Sequence, residues 1–189
     1  MILLTSGAAV SQDYDAGNAA YARGDYAAAL SEWIPLAEKG DQRAQNALGI
    51  LYELGQGVVQ NYRESLRWRR LAADQGNPGA QYSVGDAYEE GTLIIQDYTE
   101  AMRWYRLSAE QGYTVAHYKL GMVFHYGTIA PRNLSLAHMW YNISCVEGIN
   151  STCEHRDEVA KEMSSSAISE AQRRALICIE SNFKDCDWE

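Results

Sequence analysis

One feature constrains this chain above all others: it superposes on itself when shifted by 36 residues. Three full units align. AQNALGILYELGQGVVQNYRESLRWRRLAADQGN begins at Ala44, AQYSVGDAYEEGTLIIQDYTEAMRWYRLSAEQGY at Ala80 and AHYKLGMVFHYGTIAPRNLSLAHMWYNISCVEGI at Ala116. Gly49, Gly85 and Gly121 fall in register, as do Gly55, Gly91 and Gly127, then Trp68, Trp104 and Trp140, then Gly76, Gly112 and Gly148. Glycine and tryptophan recurring at one fixed period mark a stack of identical supersecondary units. A degenerate unit precedes them, from about Tyr14 to Gly40, with Asp25, Tyr26 and Ala29 in step with Asn61, Tyr62 and Ser65. The resulting division is 1–12, an apolar N-terminal segment; 13–40, the degenerate unit; 41–76, 77–112 and 113–149, the full units; and 150–189, a closing helical pair and tail.

Each unit reads as two helices. In the first, Ala44, Ala47, Leu48, Leu51 and Tyr52 follow the i, i+3, i+4, i+7, i+8 pattern of one apolar face. In the second, Leu66, Leu71 and Ala72 flank Trp68 on a segment running from Tyr62 to about Gln75. Gly55 and Gly57 break the first helix, and Asn61 or Asp97 is placed to cap the second. Gly49, Gly85 and Gly121 sit inside helices, where glycine costs about 1 kcal/mol against alanine. A cost repeated at one register position implies close approach of a neighbouring helix. One helical hairpin cannot bury its apolar face alone, so the units stack and the tryptophans fill the seams. The fold class is all-α: a right-handed α/α solenoid of helical hairpins. Glu154, Asp157, Glu158, Lys161, Arg173 and Arg174 give the last pair the look of a polar cap.

Composition narrows the function. A net charge of -9 repels phosphate backbones, which argues against nucleic acid. Arg63, Arg67, Arg69 and Arg70 read as a solvated helix face beside Glu64. No run of 18 apolar residues occurs, so no integral membrane segment is expected. MILLTSGAAVSQ, apolar and then small, resembles the end of a secretory signal sequence without its basic opening; a fraying terminus is the alternative. Four cysteines, all within the last 45 residues, lack C-x-x-C spacing. Their even number suggests two local disulfides and an oxidising compartment, with four free thiols as the alternative.

The pattern A-x-x-x-L-G-x-x-Y-x-x-G, a loop, then D/N-x-x-x-A-x-x-W-Y and a closing glycine resembles the Sel-one-like repeat (SLR), a relative of the tetratricopeptide repeat. It stands here as Ala44, Leu48, Gly49, Tyr52, Gly55, Asn61 and Trp68, with near-identical sets 36 and 72 residues on. MSSSAISEAQRRA, from Met163 to Ala175, is similar to the closing segment of bacterial members. Departures include Ser65 for alanine, Arg69 for tyrosine, Val84 for leucine and Phe124 for the third tyrosine. The spacing of Cys145 and Cys153 resembles the secreted, cysteine-rich branch, in which such a pair joins one repeat to the next. That resemblance implies a Cys145–Cys153 disulfide; Cys178 and Cys186 share the spacing and are expected to pair with each other. It also implies a periplasmic or secreted location and scaffold or adaptor work, with a peptide or partner protein held in the concave groove of the array.

For chemistry, His117, His125, His138 and His155 form no ligand spacing, so neither a metal nor a cofactor is expected. No G-x-S-x-G, P-loop or dinucleotide fingerprint occurs. Catalytic residues are therefore none. The enzyme alternative, penicillin binding or weak β-lactam hydrolysis, comes by analogy with cysteine-rich members; Ser164, Ser165 and Ser166 have no suitably spaced lysine. Sequons at Asn133, Asn142 and Asn150 read as incidental. For binding, the positions opposite the core stripe of each first helix are the candidates: Asn46, Ile50 and Glu53; Tyr82, Asp86 and Glu89; Tyr118, Met122 and His125. Tyrosine and methionine suit a peptide anchor, and Asp86 with Glu89 favours a basic one. The expected working form is a monomer; self-association through the open first repeat is the third reading.

Overall fold

Short polar residues start most of the helices, and left-handed glycines end the first helix of each full unit. The computed structural model describes residues 13–186 and 188; the signal-like segment 1–12 lies outside them. Ten helices and no strand occupy the described residues: α1 (Tyr14–Ala22), α2 (Tyr26–Glu38), α3 (Gln42–Leu54), α4 (Tyr62–Asp74), α5 (Pro78–Glu90), α6 (Tyr98–Ala109), α7 (Thr114–Tyr126), α8 (Leu134–Val146), α9 (Asn150–Ala160) and α10 (Ser165–Glu180). The architecture is the all-α helical repeat that the 36-residue period predicts.

The same caps recur in each full unit. The Asn61 side chain accepts from the Arg63 and Glu64 amides, Asp97 from those of Thr99 and Glu100, and Asn133 from that of Leu136. Each cap satisfies amides that the first turn leaves unpaired. Gly55, Gly91 and Gly127 end α3, α5 and α7 at φ 66°, 67° and 67°, a conformation that costs glycine little. The loop then closes alike three times. The Asn61, Asp97 and Asn133 amides donate to the carbonyls of Tyr52, Tyr88 and Phe124 at 2.8, 3.0 and 2.8 Å.

Two compact units divide the chain, one up to Ala72 and one from Ala73. In the first, Leu30, Trp33, Leu48 and Leu51 form the core with Ala29, Ala37 and Ala44. The Trp33 indole N–H donates to the Tyr14 carbonyl at 3.2 Å, tying α2 to α1. In the second, α5 packs on α6 and α7 on α8, and α8 takes both α9 and α10. Leu120, Phe124, Met139, Trp140, Tyr141 and Val159 lie at its centre.

The helix-interior glycines lie beneath a residue from the partner helix, always the one after the repeat tryptophan. A Cβ added at Gly49 would stand 2.5 Å from Cγ of Arg69, one at Gly85 2.7 Å from the Tyr105 ring, and one at Gly121 2.4 Å from the Tyr141 ring. Those separations are far inside van der Waals contact. The tryptophans themselves divide: Trp104 and Trp140 are buried, whereas Trp68 is half-buried at the edge of the first core. Leu71, read from sequence as part of the apolar stripe, is exposed. Helical geometry instead puts Ser65 and Ala72, three before and four after Trp68, on the buried face.

Both disulfides are formed. Cys145–Cys153 (Cα–Cα 5.0 Å) joins the end of α8 to α9, and Cys178–Cys186 (Cα–Cα 4.5 Å) ties α10 to the segment after it. Each closes so short a loop that the entropic stabilisation is roughly 2–3 kcal/mol. The tail held by the second bridge seats Phe183 over Gly112 and against the His117 ring at 4.8 Å. Trp188 packs on Trp140 at 4.7 Å, under the guanidinium of Arg106.

Two predictions follow from this packing. In Gly121→Ala, helix propensity favours the variant by about 1 kcal/mol, but the Tyr141 ring must be displaced, which costs about 1–3 kcal/mol. Urea denaturation is expected to show a net loss of stability. The second concerns His138, which is buried at the position filled by Leu66 and Met102 in earlier units; its Nδ1 has no hydrogen-bond partner among the described residues. Burial, then the charge of Arg156, holds its imidazole below the usual value. The fold therefore favours the neutral ring, and stability is full above the unfolded imidazole range and falls as pH drops through it toward the folded value. His138→Met is expected to lessen the fall in melting temperature between pH 7 and pH 5, read by circular dichroism; burial of His125, which also depresses its titration, leaves a remainder.

Candidate functional site

On α5, Tyr82, Asp86 and Glu89 recur at i, i+4 and i+7 and so share one face. Two neighbouring helices converge on that face. Tyr105, brought close by Gly85, places its hydroxyl 2.6 Å from Oδ1 of Asp86 and 2.5 Å from Oε2 of Glu89. Lys119 of α7 brings its ammonium to 2.8 Å from Glu89 and 3.4 Å from Asp86, with the Tyr105 ring 5.4 Å away. Tyr82 lies between the rings of Tyr105 (5.7 Å) and Tyr113 (5.9 Å).

Tyr105 is buried, the other members are half-buried, and their electrostatics are coupled. Burial, then the charge of Asp86 and hydrogen bonds to Asp86 and Glu89, drives the Tyr105 phenol far above its usual value, so it stays a donor. Tyr82 is raised for the same leading reasons, burial and then Asp86. Burial is also the largest single influence on Lys119 and pulls its ammonium down. Hydrogen bonds and charge from Glu89 and Asp86 outweigh it and hold Lys119 above the usual lysine value.

The equivalent positions in the other units carry different chemistry. In the first compact unit, Asn46, Ile50 and Glu53 are half-buried along α3, and Glu53 pairs with the guanidinium of Arg69. In the second, Tyr118, Met122 and His125 line α7. Tyr118 lies 6.0 Å from Tyr141 and 5.6 Å from His155 of α9, and the Tyr141 hydroxyl is 3.4 Å from Nδ1 of His125. His125 is buried, at 7% exposure, between Tyr126 and Tyr141. Of the nine candidates, the structure brings Tyr82, Asp86 and Glu89 into one cluster and Tyr118 and His125 into a second around Tyr141.

Two polar positions that the sequence reading passed over recur with the repeat. Nε2 of Gln45 donates to the Ala37 carbonyl at 3.0 Å and Nε2 of Gln81 to that of Ala73 at 3.3 Å; Nε2 of His117 is 3.0 Å from that of Ala109. A carbonyl only accepts, so the His117 Nε2 carries a proton. Its other ring nitrogen lies 2.7 Å from Glu147, where the unit before has Gln111 donating to Gln81 at 2.6 Å. Gln60, Gln96 and Arg132 likewise donate to the carbonyls of Glu53, Glu89 and His125 at 2.7, 2.8 and 3.0 Å. The available signal was a polar residue at the same step in every unit.

The residues weighed for other chemistry have structural roles. The Ser164 hydroxyl caps α10 through the Ala167 amide, Asn133 caps α8, and Asn142 accepts from Arg156 at 3.2 Å. Among the described residues no three His, Cys, Asp or Glu side chains are grouped to hold a metal ion, and no helix is long and apolar enough to cross a membrane.

A model of the Sel1 repeat matches three consecutive stretches, 42–77, 78–113 and 114–145. The chain belongs to the Sel1 repeat family. It is similar to a Sel1 repeat protein from Oxalobacter formigenes, with 32% identity over 68% of this chain and 97% of that one and a TM-score of 0.61. It shares its fold with c5321, a protective antigen of uropathogenic Escherichia coli displaying an SLR fold: TM-score 0.64, 22% identity, 90% of this chain and 46% of that one. No curated protein sequence matches the chain. Sel1 repeat proteins generally mediate protein–protein interaction.

Tyr105→Phe removes the one hydroxyl shared by Asp86 and Glu89 in this Sel1 repeat protein. Both carboxylates are partly solvated, so the expected loss is about 1 kcal/mol, measured by urea denaturation at pH 7.

Proposed function

We propose that this Sel1 repeat protein is a non-catalytic adaptor that holds a segment of a partner protein in a groove along the first helices of its repeats. It works as a monomer without a cofactor. The observation that carries this reading is the contrast between the two sides of α5 and α7. Their packing sides repeat, with Ala80, Val84 and Gly85 matched by Ala116, Leu120 and Gly121, all buried. Their other sides keep only the tyrosine, Tyr82 and Tyr118, while Asp86 gives way to Met122 and Glu89 to His125 one unit later. A face that changes from unit to unit on an invariant frame suits recognition of a particular partner.

Two disulfides suit an oxidising compartment outside the cytoplasm. That chemistry and the signal-like segment 1–12 support periplasmic or secreted residence. The acidic balance of the chain favours a protein or peptide partner over nucleic acid.

Affinity capture from an envelope extract tests the reading. A partner retained by the wild type is expected to fall at least about tenfold on a Tyr82→Ala, Asp86→Ala, Glu89→Ala variant that still melts cooperatively; a loss of that size is what removing a central interface cluster produces. Equal retention by the two proteins would remove the groove from the mechanism.

A further inference from the structure

The internal repeat presents one site in three versions, and comparing them shows what the middle version takes. In the first version, Glu53 is neutralised from within by Arg69, the residue lying over Gly49. One unit later, Glu53 becomes Glu89, Arg69 becomes Tyr105, and Ile50 becomes Asp86. The built-in guanidinium is gone and a second carboxylate has been added. One glutamate against one arginine balances; Asp86 and Glu89 against Lys119 leave a net charge of -1. The third version has Met122 and His125 at these positions and no carboxylate.

Donors are as short as charge. Among the described residues, the groups reaching Asp86 and Glu89 are the Tyr82 and Tyr105 hydroxyls and the Lys119 ammonium. Two carboxylates present about eight acceptor sites, more than these donors supply, so the remainder face solvent. The ammonium stands 3.4 Å from Asp86, beyond a good hydrogen bond, so Asp86 is the more open of the two. Both carboxylates remain reachable, with 32% and 23% of their side-chain surface exposed. Beside them the half-buried Tyr82 and Tyr113 supply ring faces suited to a flat cation, while Tyr105 is buried and contributes its hydroxyl.

We infer that Asp86 and Glu89 seat an arginine side chain of the partner segment, whose guanidinium supplies in the second repeat what Arg69 supplies from within in the first. A guanidinium fits better than an ammonium because it is planar, stacks on tyrosine and carries five donors in a fork that two carboxylates can share. The seat lies at one repeat only, so it selects one arginine, not a basic run. This inference rests on the partner-binding reading above.

The test is selection of random nonapeptides displayed on phage against the wild-type chain, followed by binding of a capped, selected peptide. Arginine enrichment at a single peptide position is expected, with about tenfold weaker binding when citrulline, neutral and nearly isosteric, replaces that arginine. Asp86→Asn with Glu89→Gln is expected to give the same loss with an unchanged circular dichroism spectrum. Lys119→Met, which removes the competing cation, is expected to tighten binding. Peptides selected without arginine would overturn the inference and leave the partner reading standing; no selected peptide at all would remove both. Arginine peptides held equally well by the carboxamide variant would also overturn it. Should that variant fail to fold, Lys119→Met decides: tighter binding supports the seat, and unchanged binding refutes it.

Discussion

The structure depends on how closely two helices of a hairpin approach each other. At Gly49, Gly85 and Gly121 a missing side chain lets the partner helix settle its residue directly onto backbone, and no other amino acid leaves that space. The approach holds whether arginine or tyrosine lies on top. Helix propensity alone would favour alanine at these positions by about 1 kcal/mol, so their occupation by glycine reports a packing gain larger than that. Within each full unit, the left-handed glycine and the Asn or Asp cap then set where the first helix stops and the second begins.

Polar side chains complete the frame where apolar packing cannot. The last carbonyls of a helix have no partner within it. Gln45, Gln81 and His117 answer those at the end of the preceding hairpin, and Gln60, Gln96 and Arg132 answer those at the end of the first helix. At the buried positions 45, 81 and 117 a hydrophobic residue would leave a carbonyl unsatisfied, at about 1–3 kcal/mol each. In the third unit His117 also meets Glu147, and Arg132 also pairs with Glu162.

Most of the architecture was legible from spacing. The glycine and tryptophan period implied hairpins, caps and close helix crossings, and Ala44, Leu48 and Leu51 marked a face that is indeed buried. Reading failed where hydrophobicity and geometry part company. Leu71 is apolar yet exposed, while Ser65 is polar yet buried, because helical phase outranks side-chain polarity at one position. The contacts of Gln45, Gln81 and His117 were overlooked because an apolar pattern leaves polar residues out; their signal is the 36-residue period itself. The seats of Phe183 and Trp188 were beyond reach, since the tail has no period to read and its contacts lie more than 40 residues back along the chain. Within the candidate surface, the face of α5 could be read from helical phase. Its partners Tyr105 and Lys119 could not, because they arrive from two other helices.

The spacing gauge under Tyr105 and Tyr141 also bears on inheritance. It consists of an absence, a hydrogen in place of a methyl group, and so is blind to what rests on it. A duplicated segment of 36 residues would carry its own gauge, caps and polar contacts, and would dock before its outward side chains had any task. Divergence could then act on those side chains alone. Ile50, Asp86 and Met122, at one register position, are three such outcomes on one scaffold, so that a single module carries three different chemistries.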